Sequence, residues 1–386
     1  MQIKKIISVT ILTLTITIGF TQNKVPNYLN KKWNYVAKNM PSDWYGSNEA
    51  KLVAEHVLLT QKDIGGWEKN KPYHHSFSEL EREEYIKNKS KKGGTFDNGS
   101  TITELFFLAK VYLQIPDERY KQAFEKGVNY IFIAQYENGG WPQYFPIKDA
   151  EDEILLDNTE PYSMHITYND NAMVNTMKFL KSIFNNSQVF DALKIDKVIK
   201  EKAKKAFKKG IECILNTQII VDGKRTVWCA QHDAKTLAPA NARSYELASF
   251  SGAESVDIVL LLMEEKKPSK EIIASVNGAV NWFKNHKIEG LKIEREIQED
   301  GKRNRIVVKD KNAPTLWARF YDLDTEMPYF CDRDGIKKKT LAEIGYNRRN
   351  GYSWYTNKPQ VALDKHQEWL LQTICYSDVL DYLISN

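Results

Sequence analysis

A short repeat constrains the fold of this chain more than any other feature of its sequence. The pattern Q-x-x-x-G-G-W occurs at residues 61–67 and 135–141, and a looser third copy spans residues 218–228. Trp67 and Trp141 are 74 residues apart, which is enough sequence for two helices and their loops. Paired glycines let a chain reverse tightly after a helix, while Gln and Trp can bond and stack across helix ends. The repeat therefore predicts a series of helical hairpins.

Apolar residues at helical spacing dominate the segments around these repeats. Strand signals are few, at residues 219–221 and 305–308, and no Pro/Gly/Ser-rich linker divides the chain. We therefore predict an all-α fold, an (α/α)3 toroid with a short β-ribbon and irregular loops, in one domain over residues 22–386. The apolar stripes are Ile102, Leu105, Phe106, Ala109 and Leu113; Ala123, Phe124, Val128 and Ile131; Ala172, Met173, Met177 and Leu180; and Val256, Val259, Leu260 and Met263.

The N-terminus is typical of an export signal. Lys4 and Lys5 precede an uncharged stretch that ends at Phe20, and this stretch is too short for a membrane span of about 20 apolar residues. No second apolar run of spanning length follows. We expect a signal peptide at residues 1–21 and a product that is secreted, periplasmic or on the cell surface, with no membrane association after cleavage.

Charge and cysteine content exclude some classes of partner. The formal net charge is +5, and it falls to about +3 once Lys4 and Lys5 are removed. Such a mild excess does not indicate a nucleic-acid partner, for which a basic stripe or a known binding motif is expected, whereas an acidic substrate is compatible if arginines converge locally. The four cysteines lie far apart without a CxxC motif, which favours buried free thiols over a zinc site or disulfides. We expect a monomer.

Three charged residues follow one another at equal intervals. Asp97, Asp170 and Arg243 are 73 residues apart in succession, and each precedes an apolar helix. Residues at equivalent points of successive hairpins should meet on one rim of a toroid, so two acids and a base are predicted to converge. Oxygen-rich sequence around both acids suits a hard cation such as Ca²⁺. Helix N-capping explains the same Asp and Asn residues, and spacing alone leaves both interpretations open.

Arginines in the C-terminal half lie in aromatic or Gly-rich sequence, which suits recognition of carboxylates and stacking on rings. Salt bridges of Arg319 and Arg333 with nearby aspartates (Asp322, Asp332 or Asp334) are the alternative. Trp67, Trp141, Tyr352 and Trp354 are candidates for stacking on sugar rings, with core burial as the alternative. His232 and Asp233 are adjacent and cannot form a catalytic dyad, so we expect His232 to be structural or to contact substrate.

Six segments resemble family 10 of the polysaccharide lyases, the pectate lyases of bacteria. The resemblance extends from Gly65 to about Tyr355 and implies an open cleft and Ca²⁺-dependent endo-cleavage of α-1,4-polygalacturonate, the backbone of pectin, to 4,5-unsaturated products. Two positions depart from the family pattern: Glu68 replaces a usual Pro, and Cys331 a small hydroxyl residue. The segments are F-D-N-G-S-T (96–101), G-G-W-P-Q (139–143), I-T-Y-N-D (166–170), V-W-C-A-Q-H-D (227–233), L-W-A-R-F-Y (316–321) and R-R-N-G-Y (348–352).

The resemblance also implies residue roles. Asp97 and Asp170 match the ligands of the catalytic calcium, and Arg243 matches the proposed base. Arg319 and Arg333 match arginines that bind substrate carboxylates. Burial, calcium and neighbouring arginines are expected to lower the pKa of Arg243, so that it can accept the C5 proton of a uronate. Further expected substrate contacts are Lys69, Trp141 and Arg349.

Three other functions fit parts of the sequence. A hydrolase on a helical toroid would need a carboxylate pair, which Asp157, Glu160, Asp170 and Glu246 could supply. The repeats also resemble those of triterpene cyclases, but the D-x-D-D acid motif of those enzymes is missing. A carbohydrate-binding module would use the same cleft without turnover, and converging acids and base argue against it.

Overall fold

The computed structural model describes residues 26–147 and 161–384, with side chains in the last helix as far as Thr373. The predicted signal peptide at residues 1–21 lies outside this part. None of the described helices is both long and apolar enough to span a membrane. The α-helices in the described ranges are α1 (Trp33–Asn39), α2 (Asn48–Thr60), α3 (Glu79–Lys87), α4 (Ile102–Gln114), α5 (Glu118–Ile133), α6 (Ala172–Phe184), α7 (Lys197–Thr217), α8 (Glu254–Met263), α9 (Lys270–Asn285), α10 (Tyr346–Gly351) and α11 (Pro359–Ile384).

The long helices form two layers. Helices α4, α6 and α8 pack side by side in an inner layer, and α5, α7 and α9 pack side by side in an outer one. Each inner helix forms a hairpin with the outer helix that follows it; α2 extends the outer layer at one end, and α11 packs on α8 and α9 at the other. The inner helices are largely buried, whereas α7 exposes a lysine-rich face. The prediction of an α/α toroid is confirmed.

Short antiparallel strand pairs lie in the connections between helices. The strand signals at residues 219–221 and 305–308 are confirmed by strands at Ile220–Val221 and Arg303–Lys309. The pairs are β1 (Ile166–Thr167) with β4 (Gln231–His232), β2 (Ile220–Val221) with β3 (Lys224–Arg225), β5 (Phe250–Ser251) with β9 (Phe320–Tyr321), β6 (Leu291–Ile297) with β7 (Arg303–Lys309), β8 (Trp317–Ala318) with β12 (Tyr355–Thr356), and β10 (Phe330–Cys331) with β11 (Lys337–Lys338).

The repeat glutamines join successive outer helices. Each Gln follows an outer helix, and its Nε2 donates one hydrogen bond within its own turn and one to a carbonyl of the next outer helix. Buried carbonyls are thereby paired where two helices meet. The acceptors are Gly65 and Ala123 for Gln61 (2.9 and 2.8 Å), Gly139 and Ala206 for Gln135 (both 2.9 Å), and Thr226 and Ser275 for Gln218 (2.7 and 2.9 Å).

The first glycine of each G-G pair is required by the same junction. Gly139 has φ 91°, and a Cβ there would lie 2.0 Å from the carbonyl oxygen of Lys209 in α7. Gly65 repeats this with φ 111° and a distance of 2.5 Å to the carbonyl oxygen of Lys126 in α5. Only glycine combines this backbone conformation with so close an approach.

The repeat tryptophans cap the outer helices. The indole Nε1 of each donates to a carbonyl of the preceding outer helix, one of the groups that a helix C-terminus leaves unpaired. Trp141 is 1 % exposed, so the prediction that it contacts substrate is wrong, and Trp67 and Trp354 are equally buried. The bonds run from Trp67 to Val57 (2.8 Å), from Trp141 to Ile131 (2.9 Å), from Trp228 to Ile214 (2.7 Å) and from Trp317 to Phe283 (2.8 Å).

Two structural roles expected from the sequence hold. Cys213, Cys229 and Cys331 are buried free thiols, as predicted, while the side chain of Cys375 lies outside the described part. His232 is fully buried, accepts from the backbone N–H of Cys229 (3.0 Å) and lies 2.9 Å from the carbonyl oxygen of Leu237. Burial lowers the pKa of His232 to about 4, so this imidazole is a neutral structural group.

Four long connections lie at one end of the toroid. They lead from α2 to α4, from α5 to α6, from α7 to α8 and from α9 to α11. The first three leave an outer helix and enter an inner one, and the fourth leads from the outer helix α9 to α11, which packs on both α8 and α9. The candidate residues of the sequence, apart from those in the core, are carried by these connections.

Candidate functional site

Two similar turns precede the inner helices α4 and α6 and contact each other. They are 3-10 turns at Asp97–Gly99 and Asn169–Asn171. Asn98 (φ 53°, ψ 23°) and Asp170 (φ 49°, ψ 28°) have the same left-handed conformation, which Asn and Asp tolerate. Asp170 therefore corresponds to Asn98, and Asp97 to Asn169. The sequence spacing between Asp97 and Asp170 therefore differs by one residue from the spacing between structurally equivalent positions of the two turns. Both acids nevertheless lie in adjoining turns.

Asp97 is a buried carboxylate with a lysine counter-ion. It is 2 % exposed; Oδ1 accepts from the backbone N–H of Asn98 at 3.0 Å, and Oδ2 is ion-paired with Nζ of Lys69. The ammonium group also lies 5.5 Å from the ring centre of Tyr144. Burial favours the neutral amine, but Asp97 outweighs it and holds the pKa of Lys69 above its ordinary value. The structure thus joins two residues to which the resemblance assigns separate roles.

Asp170 is a partly buried carboxylate with both acidic and basic neighbours. Its side chain is half-exposed, and Oδ1 lies 3.8 Å from Nη2 of Arg319. Partial burial raises the pKa of Asp170, and the charges of Asp97, Glu254 and Glu246 add to this effect against the opposing Arg319. A cation beside Asp170 would relieve this repulsion.

Arg319 is buried and fixed from several sides. Nη2 donates to Oδ1 of Asn169 at 2.8 Å and to Oε1 of Glu254, and the guanidinium lies 4.5 Å from the ring centre of Tyr352. The expected alternative, a structural salt bridge with Asp322, Asp332 or Asp334, is wrong in its partners. Among the described residues Arg319 pairs with Glu254 and Asp170, while Asp322 pairs with Lys337. Burial would lower the pKa of Arg319, but Glu254, Tyr352, Glu246 and Asp170 together outweigh it, so the pKa lies above its ordinary value. The buried Nε–H has no acceptor among the described residues.

Arg243 and Glu246 form a two-pronged ion pair. Nε donates to Oε2 at 2.8 Å and Nη2 to Oε1 at 2.6 Å. Glu246 also accepts from the hydroxyl of Tyr352 at 2.6 Å. Burial would lower the pKa of Arg243, but Glu246 outweighs it and raises the pKa above its ordinary value. The expectation that the environment of Arg243 lowers its pKa is therefore wrong for the protein alone. Glu246, in turn, has a lowered pKa because Arg243 outweighs its burial.

These groups form one charged cluster beside an open groove. The cluster contains four carboxylates and three cationic side chains. Most are joined by direct ion pairs, Asp97 and Asp170 interact through their charges, and Tyr352 contacts both Arg319 and Glu246. The groove has a volume of about 550 Å³. Its lining includes Asn98, Asp170, Asn171, Glu254, Arg319 and Lys358. The charged cluster comprises Lys69, Asp97, Asp170, Arg243, Glu246, Glu254 and Arg319.

Two predicted substrate contacts lie outside this cluster. Arg349 faces a different groove, beside β7, where its guanidinium donates to Oδ1 of Asn304 (2.9 Å) and to the carbonyl oxygens of Ala342 and Ile344. Its observed contacts are structural. Arg333 is exposed, and its side chain makes no hydrogen bond or ion pair with the described residues.

Glu254 is the main site residue that the sequence did not reveal. Glu254 is 6 % exposed and accepts from the hydroxyl of Ser251 as well as from Arg319. An acid in the first turn of a helix is common, so its position alone gives no signal. Glu246 appeared in the sequence only as a possible hydrolase acid.

The described residues provide an incomplete set of metal ligands. No group of three or more His, Cys, Asp or Glu residues within the described ranges is placed to hold a metal ion. Asp97 and Asp170 supply two carboxylates, and the amides of Asn98 and Asn171 lie beside them in the turns. Ca²⁺ takes six to eight oxygen ligands, so water and substrate would have to complete such a site.

Comparisons with known proteins agree with this architecture. A family model described as pectic acid lyase matches residues 61–363. A structure of a family 10 polysaccharide lyase from Cellvibrio cellulosa has 33 % sequence identity and a TM-score of 0.69, covering 85 % of this chain and 96 % of that chain. An Asp-to-Ala variant of a family 10 lyase from the same organism, in complex with trigalacturonic acid, has 32 % identity and a TM-score of 0.68, covering 85 % and 97 %. No curated protein matches the sequence.

Proposed function

We propose that this chain, which belongs to the pectic acid lyase family and is a pectate lyase, cleaves α-1,4-polygalacturonate by Ca²⁺-dependent β-elimination to 4,5-unsaturated oligogalacturonides. The observation that carries the proposal is the charged cluster beside the open groove, in which Asp170 and Arg319 are 3.8 Å apart. The trigalacturonic acid complex of the related lyase supports an oligogalacturonate as substrate.

Arg319 is suited to hold a uronate carboxylate. The partners of its Nη2 and the ring of Tyr352 fix the guanidinium before substrate arrives, so little side-chain entropy is lost on binding. Its Nε–H lacks an acceptor among the described residues, and a carboxylate oxygen from the groove would satisfy it. Neutralising this carboxylate makes the neighbouring C5–H more acidic, because negative charge develops there in the transition state.

Asp97 and Asp170 are the proposed calcium ligands. The charged cluster has one more carboxylate than it has cations, which gives it a net negative charge. A bound substrate carboxylate would add a second negative charge, and one divalent cation would balance the two. When bound, Ca²⁺ supplies electrostatic stabilisation of the developing enolate-like charge. Asp97 would have to exchange Lys69 for the ion, and the released ammonium group, one-third exposed, is then free to pair with a substrate carboxylate.

Arg243 is the proposed base. It would take the C5 proton while the electrons of the C5–H bond form the double bond between C4 and C5. The C4–O bond breaks with its electron pair on the oxygen of the leaving sugar, which takes a proton from water. The ion pair with Glu246 opposes this role because it stabilises the protonated guanidinium. The role therefore requires that the Arg243–Glu246 pair separate, or that the charges of calcium and Arg319 outweigh Glu246 in the complex.

The same proposal includes the organisation and location of the chain. It has a signal peptide at residues 1–21 and a single catalytic domain over residues 22–386, and the enzyme is a monomer outside the cytoplasm. A polysaccharide substrate cannot enter an intact cell, so an enzyme that acts on it must be exported. Cell fractionation with an antibody to the mature chain tests this directly, and retention of the enzyme in the cytoplasm would contradict it.

The product identifies the reaction. With polygalacturonate as substrate, β-elimination yields an unsaturated sugar end that absorbs in the ultraviolet, whereas hydrolysis yields new reducing ends without this absorbance. We expect absorbance to rise in step with the number of new chain ends. Chain ends without absorbance would support the hydrolase alternative. Of the acids proposed for it, Asp157 and Glu160 lie outside the described residues, Glu246 has a lowered pKa, which disfavours it as a general acid, and Asp170 has a raised pKa, which suits one.

A further inference from the structure

A second groove of about 410 Å³ lies next to the catalytic groove. Asn98, which follows the proposed calcium ligand Asp97, lines both grooves. The second groove is bounded by the start of α1, the loop after Lys69 and the first turn of α4. Apart from Asn98 and Ser100, its lining residues lie outside the sequence motifs discussed above. The residues that give it chemical character are Lys31, Lys32, Trp33, Lys71, His74 and Glu104.

Glu104 lines this groove and carries a buried polar atom without a partner among the described residues. The side chain is 1 % exposed; Oε1 accepts from the indole N–H of Trp33 at 2.6 Å, but Oε2 has no partner among the described residues. Burial raises the pKa of this carboxyl to about 7. An unsatisfied buried oxygen costs free energy, so a ligand hydroxyl that reaches it would be favoured.

His74 adds two more unpaired polar atoms. It is 4 % exposed, its ring is stacked on Trp33 with centres 6.0 Å apart, and neither ring nitrogen has a hydrogen-bond partner of normal geometry in the described part of the chain. Burial and the neighbouring His75 lower the pKa of His74 to about 4 despite an opposing interaction with the backbone of Lys31. The neutral ring offers one donor and one acceptor, the combination that sugar hydroxyls use.

Three lysines supply positive charge at this groove. Lys31 and Lys32 are exposed and form no ion pair with the described residues, while Lys71 lies 3.2 Å from Glu68. The groove therefore combines cations with buried groups that bind hydroxyls. A neutral sugar would leave the cations unused, and a small inorganic anion would leave Glu104 and His74 unsatisfied. A uronic acid residue carries both a carboxylate and hydroxyls.

We propose that this second groove is a distal subsite for a galacturonate residue of a polymer chain that also occupies the catalytic groove. The proposal rests on the function proposed above and extends it to the binding of long substrates. Asn98 lines both grooves, so the two lie side by side on the surface.

The test compares a long and a short substrate. We expect the double variant Lys31→Ala/Lys32→Ala to lower the ratio of kcat/KM for polygalacturonate to kcat/KM for trigalacturonate by about three- to tenfold, since exposed ion pairs are individually weak. Glu104→Gln, which retains an acceptor for Trp33, should lower the same ratio. The double variant Lys204→Ala/Lys205→Ala removes equal charge from the exposed face of α7 and is the matched control.

Two outcomes would overturn the distal subsite: an unchanged ratio in the Lys31/Lys32 variant, or an equal fall in the control, which would indicate a general charge effect. Binding provides a second readout. In an Arg243→Ala background, calorimetry should show that affinity rises with oligogalacturonate length and that loss of Lys31 and Lys32 abolishes this rise. Failure of the proposed function would look different, because the unaltered enzyme would then form no unsaturated product from either substrate.

Discussion

Arg243 and Glu246 are joined by two parallel hydrogen bonds of 2.8 and 2.6 Å, three residues apart in one loop of the toroid. This relationship bears directly on the least expected element of the proposed chemistry, an arginine that acts as a base. Glu246 holds the guanidinium protonated in the protein alone. The same pair orients the guanidinium, since the carboxylate is itself fixed by the hydroxyl of Tyr352. Glu246 thus controls both the position and the protonation state of the Arg243 guanidinium.

Glu246→Gln should shift the pH dependence of turnover. A base works in its deprotonated form, so activity rises as pH passes through its pKa. Glu246 raises the pKa of Arg243, and removing its charge should therefore move the rising limb of the kcat/KM profile to lower pH. The exposed Glu201 on α7 offers a matched control, Glu201→Gln, whose profile should not move. If the rising limb of the kcat/KM profile stays at the same pH in Glu246→Gln, Arg243 is not the titrating base.

Arg243→Ala should abolish most turnover without abolishing binding. A positioned general base contributes about 10²- to 10⁴-fold, so we expect kcat to fall by at least about 10²-fold. The affinity for trigalacturonate, measured by calorimetry, should change much less, because Arg319 and the metal site remain. Substantial residual turnover would assign proton removal to another group.

Arg319→Ala should impair both substrate binding and stability. Loss of a charged hydrogen-bond donor to the uronate predicts a fall in kcat/KM of about tenfold or more. Glu254 would be left buried without its cation, which costs on the order of 3–5 kcal/mol of unfolding free energy, measured by urea denaturation.

The double variant Arg319→Met/Glu254→Gln separates the two effects of Arg319. It removes both charges and should recover much of the lost stability, because no buried charge remains unpaired. Activity should stay low, since the carboxylate-binding group is still absent. Recovery of activity together with stability would mean that Arg319 acts only through folding.

Gln135→Ala tests the junctions between outer helices. Gln135 donates to Gly139 and to Ala206 of α7, and the substitution leaves both carbonyls without this donor. We expect a loss of about 1–3 kcal/mol in unfolding free energy, measured by urea denaturation, with KM for polygalacturonate unchanged in the folded enzyme. A stability equal to that of the unaltered enzyme would contradict the proposed role of the repeat.

Much of the scaffold was predictable because the repeat residues hold the helix junctions themselves. Gln61, Gln135 and Gln218 recur since each outer helix must be joined to the next, and this physical need leaves a pattern in the sequence. The same logic explains the error at Trp141. A Trp that caps a helix and a Trp that stacks on sugar look alike in sequence, and burial decides between them.

The site was less predictable because its contacts cross between loops. Equal spacing placed Asp97 and Asp170 at equivalent positions, whereas backbone conformation shows that Asp170 corresponds to Asn98. Glu254 gave no signal, since its importance arises from Arg319, which lies in a different connection. Side-chain pairs between irregular segments follow no periodicity, and only the fold brings them together.

The central claim is that Asp97 and Asp170 bind the calcium that turnover requires. The most direct measurement follows formation of unsaturated product from polygalacturonate after chelation and then during titration with Ca²⁺, in the unaltered enzyme and in Asp170→Ala. We predict that chelation abolishes turnover, that Ca²⁺ restores it in the unaltered enzyme, and that Asp170→Ala needs at least about tenfold more Ca²⁺, since one charged ligand is lost. Full turnover in the presence of chelator, or an identical Ca²⁺ dependence in both proteins, would contradict the claim.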